Sequence, residues 1–164
     1  MMKHIPIVLF ASLLFAAPTL ADEEECQGLF VHSAQKISMD GSSLTMEGVS
    51  PTVIFFCDRP TRLAGHMSIE EFLNTVSTGE DSFAEDPPNA SLSILSGDDV
   101  IDLVVELRDK PTVKGDVVSY GNVLIIDGEP LETAGAGTLF IDNVRVRRRH
   151  VRRARRRCAA GVTC

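Results

Sequence analysis

The densest group of chemically reactive residue types lies in residues 57–66, where an aspartate, two arginines and a histidine occur together. A catalytic interpretation makes His66 a general base, Asp58 the carboxylate that orients it, and Arg59 with Arg62 a clamp for an anion. In the alternative, structural interpretation, Asp58 caps a turn after a strand and His66 leads into a helix. Spacing alone places no nucleophile beside His66, so the pattern favours the structural interpretation.

Other patterns that could support catalysis or metal binding are incomplete. Asp81 and Asp86 are further candidate carboxylates in the acidic loop of residues 80–90. The chain has no Gly-x-Ser-x-Gly elbow, no phosphate-binding glycine loop and no calcium-loop order of acids. The cysteines lack Cys-x-x-Cys spacing and the histidines are scattered, so we expect no metal site and no cofactor.

The sharpest feature is an arginine run near the C-terminus. Residues 145–164 hold nine arginines and no acid, whereas residues 22–144 hold all 23 acids and six bases, a net charge of −17. Such a run attracts phosphate-rich polymers and anionic lipid head groups, because arginine forks bind phosphate well. The alternative is a solvated tail, neutralised in part by the acidic body of its own or a neighbouring molecule. The candidate binding residues are Arg59, Arg62, Arg147, Arg148, Arg149, Arg152, Arg153, Arg155, Arg156 and Arg157.

The N-terminus and the cysteines indicate an oxidising compartment. Residues 1–21 have a short basic start, a 13-residue apolar stretch and small residues before a cut after Ala21, which is typical of a signal peptide. The stretch is shorter than the about 20 residues of a membrane span, and no second long apolar run follows. Four cysteines in an exported chain suggest two disulfides, in any of three pairings. Their order favours Cys26 with Cys57 and Cys158 with Cys164.

The elements that must position these residues are mostly strands. Alternation with period two covers most of residues 28–147, and Asp40-Gly41 predicts a hairpin turn. One helix is predicted after Ser68, because Ser68 and Glu71 have the spacing of a capping box and an apolar stripe follows.

The predicted fold is mainly β, an antiparallel β-sandwich or small open barrel of about seven strands with one short helix. The predicted organisation is a signal peptide at 1–21, an acidic β-rich domain at 22–147, and an arginine-rich, cysteine-containing C-terminal tail at 148–164.

A set of short motifs adds a resemblance. They are Asp58-Arg59-Pro60, Gly65-His66, Asp81-Ser82-Phe83, Asp86-Pro87-Pro88-Asn89-Ala90 and Leu139-Phe140-Ile141-Asp142. In this order they resemble a family of exported bacterial single-domain proteins whose activity is not established. The resemblance covers roughly residues 26–147 and implies export and one domain. It assigns no catalytic residue.

These patterns predict an exported, periplasmic or secreted, non-enzymatic binding protein. Its basic tail contacts anionic envelope components or lipid head groups, with nucleic acid only an incidental binder. The alternative is a hydrolase-like or metal-assisted enzyme that uses Asp58 and His66, with Asp81 or Asp86 as a further carboxylate.

Overall fold

A computed structural model of the chain describes residues 26–59, 61–79, 81–130, 135–146 and 148–161. Within these residues, ten strands and two helices follow one another along the chain. They are β1 (Cys26–Asp40), β2 (Ser43–Val49), β3 (Thr52–Cys57), β4 (Leu63–Ser68), α1 (Ile69–Val76), β5 (Asn89–Ser96), β6 (Asp99–Leu107), β7 (Thr112–Lys114), β8 (Val117–Tyr120), β9 (Val123–Asp127), β10 (Gly135–Val146) and α2 (Arg148–Ala159).

The prediction of a mainly β, antiparallel fold is confirmed, whereas the number of strands is not about seven. Two of the additional strands, β4 and β7, are too short or too irregular to show a period-two pattern. A third arises because residues 117–126 form two strands, β8 and β9, instead of one. The chain turns between them at Gly121 and at Asn122, which has a φ of 47°.

All ten strands belong to one antiparallel sheet built around β1. One edge of this 15-residue strand pairs with β10; the other pairs with β3 over its first half and with β2 over its second. The path runs β7-β8-β2-β1-β10-β5-β6-β9, and β4 extends the side branch formed by β3. Only two residues join β8 to β9, near opposite ends of this path, so the sheet must curl to bring those ends together.

An aromatic cluster fills the space between the sheet and α1. The ring centroids of Phe30 and Phe72 lie 5.3 Å apart, and those of Phe72 and Phe83 lie 6.3 Å apart. The predicted capping box is present: the Ser68 hydroxyl accepts a hydrogen bond from the Glu71 amide at 3.2 Å, and a Glu71 carboxylate oxygen accepts one from the Ser68 amide at 3.2 Å. The capping box therefore starts α1 where the sequence predicts it.

The prediction of a single helix is wrong, because residues 148–159 form α2 and do not continue as an extended tail. Arginine is a good helix former, and the apolar positions within the run recur at helical spacing. The helix ends at Ala159, and a turn follows at Gly161, whose φ of 73° suits glycine and whose amide donates to the Cys158 carbonyl. Neither helix in the described part of the chain has the length and apolar character needed to cross a bilayer.

Candidate functional site

One side of α2 is fixed against β4 by tight packing. His150, Val151 and Ala154 are almost fully buried, and the edge of the His150 ring meets Phe55 with their centroids 6.4 Å apart. A Cβ at Gly65 would lie 2.5 Å from the Phe55 ring and 3.2 Å from the Ala154 Cβ. The glycine therefore lets the helix approach the strand closely.

The opposite side of α2 consists of exposed arginines. Arg149, Arg152, Arg153, Arg156 and Arg157 follow one another at the spacing i, i+3, i+4, i+7 and i+8, which places them on one face. With Ala160 they line an open concavity of about 610 Å³. We call these five residues the arginine face. Because α2 is docked through its other side, the arginine face has a fixed direction.

The arginine face does not arise from a requirement of helix formation. Like charges at i, i+3 and i+4 destabilise a helix by roughly 0.2–0.5 kcal/mol per pair, and α2 contains no acid that would offset them. Packing of the buried side has to compensate for this repulsion. The charge distribution therefore lowers the stability of the element that carries it.

One carboxylate from α1 reaches the arginine face. Arg153 Nη1 lies 3.5 Å from Glu71 Oε1, while the other carboxylate oxygen of Glu71 accepts the capping hydrogen bond from Ser68. That hydrogen bond is the main reason why the pKa of Glu71 is lowered; partial burial opposes the shift, and the nearby side chains of His150, Arg153 and Arg149 add to it. Glu71 thus connects the start of α1 to the arginine face.

The structure does not bring Asp58 and His66 together. The β3–β4 register pairs Cys57 with Leu63 and Ile54 with His66, so the histidine is about four residues, or ~13 Å, along the strands from Asp58. The His66 side chain is exposed, and among the described residues it has no hydrogen bond or ion pair.

Asp58 has a structural role at the end of β3. Its carbonyl accepts hydrogen bonds from the amides of Thr61 and Arg62, and its own amide donates to Gln27. Arg59 and Arg62 are exposed at this turn between β3 and β4, whereas the other candidate arginines lie in residues 147–157. The hydrogen bonds are those of a turn that follows a strand, as the structural interpretation describes.

Three aspartates line a polar concavity at the same end of β3, beside this turn. Asp58, Asp86 and Asp142 surround about 370 Å³ together with Pro87, Pro88 and Asn89. Asp142 follows the buried Ile141 in β10. In the sequence, only its place in the motif Leu139-Phe140-Ile141-Asp142 drew attention to it. Asp81 lies in the turn after Gly79 and is not among the lining residues. Within the described ranges, no three His, Cys, Asp or Glu side chains are placed to hold a metal ion.

The predicted disulfide between Cys26 and Cys57 is confirmed. It closes a sequence separation of 31 residues, and both sulfurs belong to buried residues of the core. Cys158 is also disulfide-bonded. Its predicted partner, Cys164, lies outside the described residues, as do Arg147 and the side chain of Arg148.

A buried histidine was missed by the sequence interpretation. His32 is fully buried in β1, its ring lies 6.2 Å from that of Phe72, and neither ring nitrogen has a hydrogen-bond partner of normal geometry among the residues that the structure describes. Burial lowers the pKa of His32 to about 4, and the nearby backbone of Ser50 opposes this only in part. Only its position in the alternating pattern of β1, on the same side as Phe30, could have indicated burial.

Comparison with other proteins adds no assignment to this geometry. No protein-family model, curated protein or solved structure matches the chain. The chemistry of the site is therefore argued from its own residues.

Proposed function

We propose that this is an exported, non-enzymatic binding protein whose arginine face contacts phosphate-bearing anionic surfaces of the bacterial envelope. The observation that carries the proposal is the fixed arrangement of five exposed arginines on one side of a docked helix. A docked helix holds its charged groups in one direction before binding, so less conformational entropy is lost than with a free tail.

Export is part of the proposal and rests on two features. The first 21 residues have the composition of a signal peptide, and the Cys26–Cys57 disulfide is typical of periplasmic and secreted proteins. In those compartments, phosphorylated envelope components and anionic lipid head groups are the abundant sources of phosphate. The resemblance to exported single-domain proteins points the same way and is likewise a proposal.

The chemistry of the arginine face suits a phosphate surface better than a specific nucleic acid sequence. Guanidinium groups bind phosphate oxygens in a bidentate manner. Sequence-specific recognition needs side chains that read base edges, and the face offers only arginines together with Ala160. Nucleic acid is therefore proposed as an incidental binder. The enzymatic alternative gains no support from the separated positions of Asp58 and His66.

The scaffold behind the arginine face is also part of the proposal. We infer that the curled sheet is a small, incompletely closed barrel and not a two-sheet sandwich. The continuous path from β8 to β9 and the two-residue link between these strands support this inference.

The decisive experiment is co-sedimentation of the mature protein with phosphatidylglycerol–phosphatidylcholine vesicles at low and near-physiological salt. The variant replaces Arg153, Arg156 and Arg157 by glutamine, which keeps helix propensity and leaves the hydrogen bond from Arg149 to the buried His150 in place, but removes three charges. Each basic residue contributes about 1 kcal/mol near an anionic surface, and Arg153 is already paired with Glu71, so we expect the affinity to fall about thirtyfold. The wild-type affinity should weaken steeply as salt rises.

Two controls make this test specific. Replacing the same three residues by lysine keeps the charge and should retain most of the binding. Replacing Lys36, Arg108 and Lys114, which lie outside α2, by glutamine removes equal charge and should leave binding almost unchanged. Equal sedimentation of the wild type and the three-glutamine helix variant would refute the proposal, and tighter binding to RNA than to the vesicles would replace the proposed partner.

A further inference from the structure

Glu71 lies beside the arginine face and contacts one of its residues. Its carboxylate is 3.5 Å from the Arg153 guanidinium, while its other oxygen is held by the Ser68 amide. This hydrogen bond is part of the cap of α1, so it holds the Glu71 carboxylate in place independently of α2. The arginine face therefore has an anion of the protein itself beside its middle arginine.

We propose that Glu71 is an intramolecular competitor for Arg153, which raises the anionic charge density that a surface must have before the arginine face binds it. This inference rests on the proposed function. A carboxylate fixed close to a guanidinium is present at high effective concentration, so a single dilute phosphate does not displace it. A surface that engages several arginines at once gains enough to compete, because its contacts add together.

The neighbouring residue Glu70 offers a matched control. It has the same charge and also lies in the first turn of α1, so both glutamates interact with the helix dipole in the same way. Glu71 alone of the two completes the capping box and contacts Arg153. Replacement by glutamine retains the capping hydrogen bond, since glutamine serves at this position of the motif, and removes only the charge.

The experiment measures vesicle binding of wild type, Glu71→Gln and Glu70→Gln over increasing phosphatidylglycerol content. We expect Glu71→Gln to bind about fivefold more tightly, to need less phosphatidylglycerol for half-maximal binding, and to depend on salt more steeply by about one counterion. Glu70→Gln should behave as the wild type does.

A double-mutant cycle identifies the arginine involved. Arg153→Gln should cost little affinity in the wild type, where Glu71 already engages Arg153, but about fivefold in the Glu71→Gln background. Arg156→Gln, at an arginine with no ion pair in the described part of the chain, should cost the same in both backgrounds.

The outcomes separate this inference from the proposed function. Arginine-dependent vesicle binding that is equal in Glu71→Gln and Glu70→Gln overturns the role of Glu71 and leaves the proposed function intact. Binding that does not depend on the arginine face, or no binding by any variant, overturns both. Unfolding curves for each variant verify that the glutamine substitutions leave the fold in place.

Discussion

The two helices lie on the same sheet but are held there by different means. α1 has a capping box, two acids in its first turn and a strong apolar stripe, so most of what defines it is local in sequence. α2 has no acid in its first turn, repeated like-charge neighbours and few apolar residues. Its stability comes from contacts with β3 and β4. The comparison shows that a segment with many like charges can form a stable helix when its few apolar residues pack against a strand. Here Gly65 of β4 leaves room for that packing.

The largest expected effect comes from breaking the docking of α2. Gly65→Ala adds a methyl group that would lie 2.5 Å from the Phe55 ring, and overpacking of this kind typically costs 1–3 kcal/mol. We expect about 2 to 3 kcal/mol lower unfolding free energy in urea. Trypsin, which cuts after arginine, should also cleave α2 faster, because an undocked helix opens more often.

Gly121→Ala is the matched control for this substitution. Its Cβ would meet its nearest neighbour, a carboxylate oxygen of Asp109, at an ordinary 3.7 Å. The control should change stability little and leave tryptic cleavage of α2 unaltered. If Gly65→Ala behaved in the same way, the close approach of α2 to β4 would not hold the helix in place.

The second effect is a pH dependence beneath α1. Burial lowers the pKa of His32 from 6.5 to about 4, so between these values the unfolded chain binds more protons than the folded protein does. Stability is therefore lost as pH falls through this window, by about 2 kcal/mol at pH 5. His32→Phe removes the titrating group from its place beside Phe72 and should flatten the dependence between pH 7.5 and 5.

Substitution of His66 is the control for that measurement. His66→Phe changes an exposed histidine on β4 and should retain the pH dependence of the wild type. An identical slope in wild type and His32→Phe would show that other groups cause the acid sensitivity. Hydrogen exchange at pH 5 would sharpen the comparison, since α1 amides should lose protection before those of α2.

The smallest effect concerns the local signals of α1. Ser68→Ala removes the hydroxyl that accepts from the Glu71 amide, and loss of such a cap costs about 1 kcal/mol. Ser68→Asp, which retains a capping oxygen, should recover most of the loss in thermal or urea unfolding. If α1 were held only by packing, the two variants would have equal stability, and α1 would then not differ from α2 in this respect.

Particular residues show how far the sequence could be interpreted. Ser68 and Glu71 predicted the start of α1 because a capping box acts over three residues. The Cys26–Cys57 pairing followed from order and compartment. The β8–β9 division was missed because the residues on both sides of Gly121-Asn122 are mostly β-branched and predict strand, although this dipeptide is itself a turn signal. The separation of Asp58 from His66 follows from the β3–β4 register, which no spacing in the chain specifies.

The amino-acid sequence by itself determined the strand-rich, antiparallel character of the protein, the cap of α1 and the separation of acidic and arginine-rich segments, because each depends on neighbours in the chain or on composition. It favoured the Cys26–Cys57 pair, which the structure then confirmed. Tertiary structure alone decided that the arginines lie on one fixed face and that Glu71 meets Arg153. It also buried the His32 ring beside Phe72. These features depend on which strands and helices lie side by side. Nothing in the sequence around Gly65 indicates that Ala154 of α2 packs against it.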